Sequence, residues 1–431
     1  MSPSSRRPRS PLAPIFLIVL VDVLSLTVMI PLLPFYAQAF GASPFIVGTL
    51  FASYSACQLV SGPILGNLSD RFGRRRMLLI SQAGMVASLL VMAFAGHLWM
   101  LFVGRIISGS LAGNLTIAQA YITDHTKPEE RTRAFGVIGI AFGLGFAIGP
   151  AMAAVLSAHP PDASQADAIA ALARPLFLSA GLSTLSFTTT FFLLHDAPVS
   201  HADEAGAGPG PAGRRLGILE WRGYIAYFQR PELRGLLFQF FMFVIAFATF
   251  MSGFALFAER RFTWHGHPFG SDEVGYVYTY VGVLGIIIQG GMLRPLAKRY
   301  GDAPLVLAGF VCTTIGYFVL GLIASVGLLL VVAAITSVGN GFLRPALTAR
   351  VTQAVARHEQ GVVLGLTQSL QALAQVFAPL LGTFLIGQMQ LFAWAAVATV
   401  VSAVGLMAAM AARRPPSARP DATLPADAPP G

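Results

Sequence analysis

Twelve apolar segments of about twenty residues take up most of this 431-residue chain, and a helix of that length crosses the ~30 Å hydrocarbon core of a bilayer. They fall roughly at 14–36, 46–67, 77–96, 98–121, 134–157, 174–194, 234–257, 274–292, 303–324, 326–348, 362–386 and 390–411. Lipid offers no partner to an open backbone N–H or C=O, so each segment is expected to be helical. The expected fold is an all-α polytopic membrane protein with twelve transmembrane helices. Charge content agrees: 11% of residues are charged, against about 25% in a typical globular domain. The N-terminus has the basic start and apolar run of a secretory signal. The run nevertheless continues to Tyr36, carries Asp22 in its middle and shows no small-x-small cleavage site, so it is expected to remain as the first span. Cys57 and Cys312 lie in different spans far apart in sequence, which argues against a disulfide framework.

Basic residues in short loops are retained on the cytoplasmic side. With the N-terminus inside, 24 of the 28 Lys and Arg fall on that side, counting Arg344 near the inner end of the tenth span with its loop. Arg174, Arg260 and Arg261 fall outside, and Arg105 lies within the fourth span. Both termini are therefore expected in the cytoplasm. Lys127 and Lys298 are the only lysines beside many Arg and Ala, a composition that fits a GC-rich bacterial genome and hence the inner membrane. The net charge of +9 is spread over loops and tails instead of forming one patch, so no nucleic-acid partner is expected.

Residues 195–233 form the longest polar stretch between spans, rich in Gly, Pro and Ala, and read as a cytoplasmic linker. It separates six-helix bundles at 14–194 and 234–411, with an N-tail at 1–13 and a disordered C-tail at 412–431. The halves show a weak repeat. An offset of 228 lays DRFG, 70–73, on KRYG, 298–301, and an offset of 229 lays Gly149-Pro150 on Ala378-Pro379. Two pseudo-symmetric bundles follow.

The loop GNLSDRFGRRR, 66–76, holds Arg71, Arg74, Arg75 and Arg76 at the cytoplasmic headgroups. Topology alone explains the arginines but not Gly66 and Gly73, where helix ends approach or the backbone turns. Nor does it explain Asp70, an acid that wants a neighbouring Arg or the positive end of a facing helix. This G-x-L-S-D-R-x-G-R-R-R run resembles the signature loop of the major facilitator superfamily. LFVGRIISGSLAGN, 101–114, resembles that family's fourth-helix motif, and GIAFGLGFAIGPAMA, 139–153, its fifth-helix antiporter motif. VDVLSLTVMIPLLP, 21–34, is similar to the first helix of the drug/proton antiporters, the tetracycline/proton antiporters in particular. The resemblance implies alternating access to one cavity between the halves. It also implies a conformational latch of Gly66, Asp70, Arg71, Gly73, Arg74 and Arg75, and an interface helix carrying Gly145, Gly149 and Pro150. The second copy, RPLAKRYGD, has Lys298 in place of the acid, so no switching role is assigned to it.

Asp22 is the only one of 19 Asp and Glu well inside a span. A carboxylate at such depth is costly, so it should face the interior, where it suits reversible proton binding; a structural pair with a Ser or Arg is the alternative. Arg105 continues on one helical face through Gly109, Ala112, Thr116 and Gln119, a stripe suited to a cavity wall. It could pair with Asp22, bind substrate or stabilise packing. In the second half, Asn340 and Arg344 on the tenth helix and Gln368, Gln371 and Gln375 on the eleventh would be costly facing lipid. Cavity contact and interhelical hydrogen bonding are both open for them.

All eight His lie in loops or at span ends, and no Gly-rich phosphate loop exists, so a membrane enzyme and ATP-driven transport are disfavoured. His265-Gly266-His267 could bind metal only adventitiously, and no metal or cofactor is expected. The reading is a monomeric proton-coupled antiporter in the lipid bilayer, exporting small lipophilic or amphiphilic compounds. Its rivals are a symporter or uniporter of a metabolite or organic anion held by Arg105 or Arg344, and a non-transporting sensor or lipid translocator.

Overall fold

The structure is a computed structural model and describes residues 12–125, 128–160, 163–194, 227–356 and 359–412. Most of the expected N-tail, linker and C-tail lies outside the described residues. Eleven helices are long and apolar enough to cross a membrane, and one further crossing is made in two pieces. The first half contains α1 (Leu12–Ala39), α2 (Pro44–Phe72), α3 (Arg74–Ala93), α4 (Leu98–Ser110), α5 (Asn114–His125), α6 (Pro128–Ser157) and α7 (Gln165–Leu193). The second half begins with α8 (Pro231–Arg261) and α9 (Ser271–Ile287), which runs through a π-helical turn, Ile288–Met292, into α10 (Leu293–Tyr300). It ends with α11 (Asp302–Leu322), α12 (Val326–Gln353), α13 (Gln360–Gly387) and α14 (Leu391–Ala411). Strands β1 (Thr263–Trp264) and β2 (His267–Pro268) form a small hairpin between the seventh and eighth spans.

The fourth span departs from the single helix expected over 98–121. Helix α4 stops at Ser110 and α5 starts at Asn114. The Ser61 hydroxyl donates to the Gly109 carbonyl at 2.9 Å, and the Gly113 N–H turns to the Leu111 carbonyl at 2.8 Å. The Gly109 carbonyl, which would accept from Gly113 in a continuing helix, thus takes a hydroxyl donor from a neighbouring span, at a glycine pair that already disfavours helix. The eighth span also outruns its expected end at 292. Gly290 and Gly291 lie in its π-helical turn, and the helix continues to Tyr300. Gly73 and Gly301, at the ends of the repeated DRFG and KRYG, take φ of 97° and 79°. That left-handed turn is what glycine supplies at both places.

Packing repeats between the halves. First span lies on fifth and seventh on eleventh, third on sixth and ninth on twelfth, second on fourth and eighth on tenth. Each half buries its helix faces by the same pairings, which is the two-bundle architecture the repeat implied. In the first half the first–fifth pairing is close: Gly145 and Gly149 meet Val23, Leu24 and Thr27, and Thr27 Oγ1 donates to the Gly145 carbonyl at 2.8 Å. Gly139, at the start of the same segment, faces open space.

The halves meet along two further pairs, second with eleventh and fifth with eighth, again exchanged by the repeat. A Cβ on Gly48 would lie 2.8 Å from the Pro379 carbonyl oxygen, and one on Gly275 would lie 2.8 Å from that of Pro150. Each in-helix proline therefore receives a glycine of the opposite half against its carbonyl. Around them Ser157 and Ser271 hydroxyls lie 2.8 Å apart, Gln38 Nε2 donates to Glu259 at 3.0 Å, and Phe45 meets Phe384 edge-on. These contacts gather at the end that carries the connection between first and second spans, opposite the 66–76 loop.

A branched side chain cannot enter either glycine position without backbone movement. Gly48→Leu and Gly275→Leu are expected to part the halves there, at a cost of about 1–3 kcal/mol to the closed arrangement. In a background lacking Cys57 and Cys312, thiol labelling of a cysteine replacing Ser157 should rise several-fold in both, and stay at the parent rate in Gly139→Leu.

Candidate functional site

Asp22 sits in the middle of α1, and the break in the fourth span delivers its partner. Asn114, the first residue of α5, is turned inward and its Nδ2 donates to Asp22 Oδ1 at 3.0 Å. Asn114 Oδ1 is buried with no hydrogen-bond partner. Asp22, Ser25, Tyr54, Gln58, Ser88, Arg105, Ser108 and Asn114 line one cavity, otherwise walled by aliphatic, methionine and aromatic side chains of the first to fifth spans. Among the described residues this carboxylate has one neutral donor and no cation at hydrogen-bond distance, so its burial as an anion is costly, which suits a group that exchanges a proton.

Arg105 is only 5% exposed, yet it forms no ion pair among the described residues. Its guanidinium lies over the Tyr54 ring at 4.3 Å and the Phe51 ring at 5.8 Å, and Nε donates to the Leu50 carbonyl at 3.3 Å. Aromatic faces of the second span therefore solvate this cation in place of a carboxylate. The direct Asp22–Arg105 pair left open by the sequence is not made, although both groups reach the same cavity. The stripe from Arg105 to Gln119 is also not one wall. Arg105 and Ala112 line the cavity, Gly109 is pressed on the Tyr54 backbone, and Gln119 lies beyond the break. The Thr116 side chain lies outside the described residues.

At the far end of the molecule, Asp70 is ion-paired with Arg74 one turn on, and Arg74 Nη1 donates to Ser69 at 2.6 Å. Arg75 Nη2 donates to the Phe191 carbonyl at 2.5 Å and its guanidinium lies over that ring, tying the loop to the sixth span. Arg71 lies over Phe72. Gly73 makes the turn expected of it, whereas Gly66 is inside α2 with open space beside it. No turn or close approach requires that glycine in this arrangement.

In the second half, Arg344 Nη1 donates to Gln371 Oε1 at 3.0 Å. Gln368 is exposed and Gln375 half-buried, so the three glutamines do not act as one row. Asn340 Oδ1 is buried without a hydrogen-bond partner, and the Asn340 side chain lies beside the buried Tyr317 hydroxyl. His267 Nε2 lies 3.8 Å from Glu273 Oε1 beside the hairpin, and no group of three metal-ligating side chains occurs among the described residues.

A family model described as the Major Facilitator Superfamily matches residues 15–294 and, a second time, 269–430. The chain belongs to the major facilitator superfamily. It is 30% identical over 373 residues to the tetracycline resistance protein, class B, of Escherichia coli, covering 84% of this chain and 85% of that one. It is 24% identical to multidrug resistance protein 2 of Bacillus subtilis (strain 168), covering 86% and 88%. Among solved structures, the human organic anion transporter MFSD10 (TETRAN) superposes with a TM-score of 0.68 at 22% identity, covering 95% of this chain and 99% of that one.

Within this major facilitator fold, sequence reasoning missed Asn114 and Tyr54. Asn114 closes the quoted fourth-helix motif, and its meaning depends on a helix break that hydropathy does not register. Tyr54 lies one turn beyond Leu50 and Phe51, and only the crossing of second and fourth spans brings it to Arg105. Because the ring face holds the cation, Tyr54→Phe should keep folding and activity near the parent. Tyr54→Leu removes the face and should cost about 1–2 kcal/mol, seen as a lowered thermal midpoint of the purified protein.

Proposed function

We propose that the protein is a proton-coupled antiporter that exports small lipophilic or amphiphilic compounds across the inner membrane by alternating access. One observation carries the reading: a single deep carboxylate, Asp22, faces a largely apolar cavity with only a neutral donor at hydrogen-bond distance. Similarity to tetracycline and multidrug resistance proteins supports it. The chain acts as a transporter and not as an enzyme. It works as a monomer, without cofactor, on the energy of the proton gradient.

Both termini and the 66–76 loop face the cytoplasm, as the distribution of Lys and Arg requires. The end sealed by Gly48 and Gly275 is then the outer one, and the cavity opens inward. In this state Asp22 gives its proton to the cytoplasm and the compound binds. Reorientation breaks the glycine seal and brings the cytoplasmic ends together, where Asp70 and Arg74 exchange partners. Release outside is followed by protonation of Asp22, and the return step begins. Exchange is obligatory because an ionised, unoccupied Asp22 is the costly form to carry through a closed intermediate.

In proteoliposomes with an internal pH dye, a transported compound should move protons in the opposite direction. Asp22→Asn should abolish that movement while binding persists; a compound carried at the parent rate with no proton movement would overturn the coupling. For Asp70→Asn, turnover should fall about tenfold with binding unchanged, measured as transport rate against equilibrium binding.

A further inference from the structure

The second half holds a cation that the antiport cycle above leaves without a task. Arg344 is on α12, yet its guanidinium lies between α8 and α13, 5.7 Å from the Phe243 ring, 5.6 Å from the Phe247 ring and bonded to Gln371. Phe243 and Phe247 are near the middle of α8, so the charge sits deep in the bundle. It is nevertheless exposed to open space. Among the described residues it has no carboxylate partner, and one neutral oxygen accepts from one of its five N–H donors. Arg105 differs, being buried and covered by rings and a carbonyl. A deep guanidinium with open donors and no counter-charge is costly unless something anionic reaches it.

Its place in the repeat shows where that open side leads. The offset of 228 lays Phe247 on Val19 and Asn340 on Ala112, and both Val19 and Ala112 line the Asp22 cavity. Arg344 lies one turn beyond Asn340 on the same helix, at the edge of the second-half counterpart of that cavity.

Resting on the transport reading above, we infer that Arg344 and Gln371 form a subsite for an anionic group, carboxylate or sulfonate, on a substrate whose flat apolar body lies against Phe243 and Phe247. The planar fork of the guanidinium matches two oxygens of such a group. The Gln371 oxygen fixes one Nη and leaves the other edge free to donate, while its own amide can donate to the same anion. The rings supply the apolar face beside it. The substrate is then an amphiphile with a negative end, held by the second half while Asp22 carries the proton in the first.

The test is binding to the full-length protein in nanodiscs, by calorimetry against empty nanodiscs. The probes are naphthalene-1-sulfonate, the neutral naphthalene-1-sulfonamide and the cationic 1-naphthylmethylammonium. The sulfonate should bind at least about tenfold more tightly than the other two. Arg344→Gln should erase the preference, Arg344→Lys should keep part of it, and Phe243→Ala should weaken all three probes alike. Gln371→Ala tests the site should Arg344→Gln fail to fold, and should lower sulfonate affinity selectively. Equal binding of the three probes, or a sulfonate preference that survives Arg344→Gln, overturns the inference. If the cation binds best and moves protons through Asp22, the anion subsite is wrong and antiport stands. If the sulfonate binds through Arg344 but its transport moves no protons, the subsite stands and antiport is wrong.

Discussion

Hydrocarbon does not tolerate an uncompensated charge, and the arrangement of this protein follows from where three such charges are placed. Asp22 receives an amide from Asn114, Arg105 receives two ring faces and a carbonyl, and Arg344 receives a glutamine oxygen between two phenylalanines. Among the described residues none of the three is paired with an opposite charge. Breaking a buried Asp22–Arg105 bridge would cost several kcal/mol, a cost that the proposed proton exchange at Asp22 avoids. Neutral and aromatic partners hold the charges in position while leaving them responsive to a proton or a ligand.

The same logic of reversible contact governs the seal between the halves. Close approach at Gly48 and Gly275 is achieved with backbone carbonyls of proline-containing helices and a few hydroxyls. Packing of this sort stabilises by many small dispersion contacts that are lost together when helices rock apart. The geometry is paired by the repeat, so the two sides of the seal are suited to open in one movement.

The architecture was legible because membrane spans, basic loops and the DRFG/KRYG repeat are each written in local sequence. Asp22 and Arg344 were legible for the same reason, since charge inside an apolar run stands out without any knowledge of neighbours. What depended on neighbours was not. The fourth span reads as one continuous apolar segment, and it breaks where Ser61 of another helix donates to the Gly109 carbonyl. That break is what turns Asn114 toward Asp22. Likewise Gly66 carries the family pattern but meets nothing here, since the pattern records a residue type and not its neighbours.

The repeat finally separates scaffold from chemistry. At the offset of 228, Gly73 meets Gly301, and at neighbouring offsets Gly48 meets Gly275 and Pro150 meets Pro379, so turns and seal are shared. The charges are not. Asp22 corresponds to Phe250, which is buried and stacked with Tyr317, and Arg105 corresponds to the buried Ala333. Arg344 corresponds to Thr116, on the first-half segment beyond the helix break. The two halves therefore share one frame, while Asp22 and Arg105 stand in the first and the open cation Arg344 in the second. On the proposed reading, a proton event at Asp22 reaches a ligand held at Arg344 through the relative movement of the two halves, and this division of charge ties exchange to alternating access.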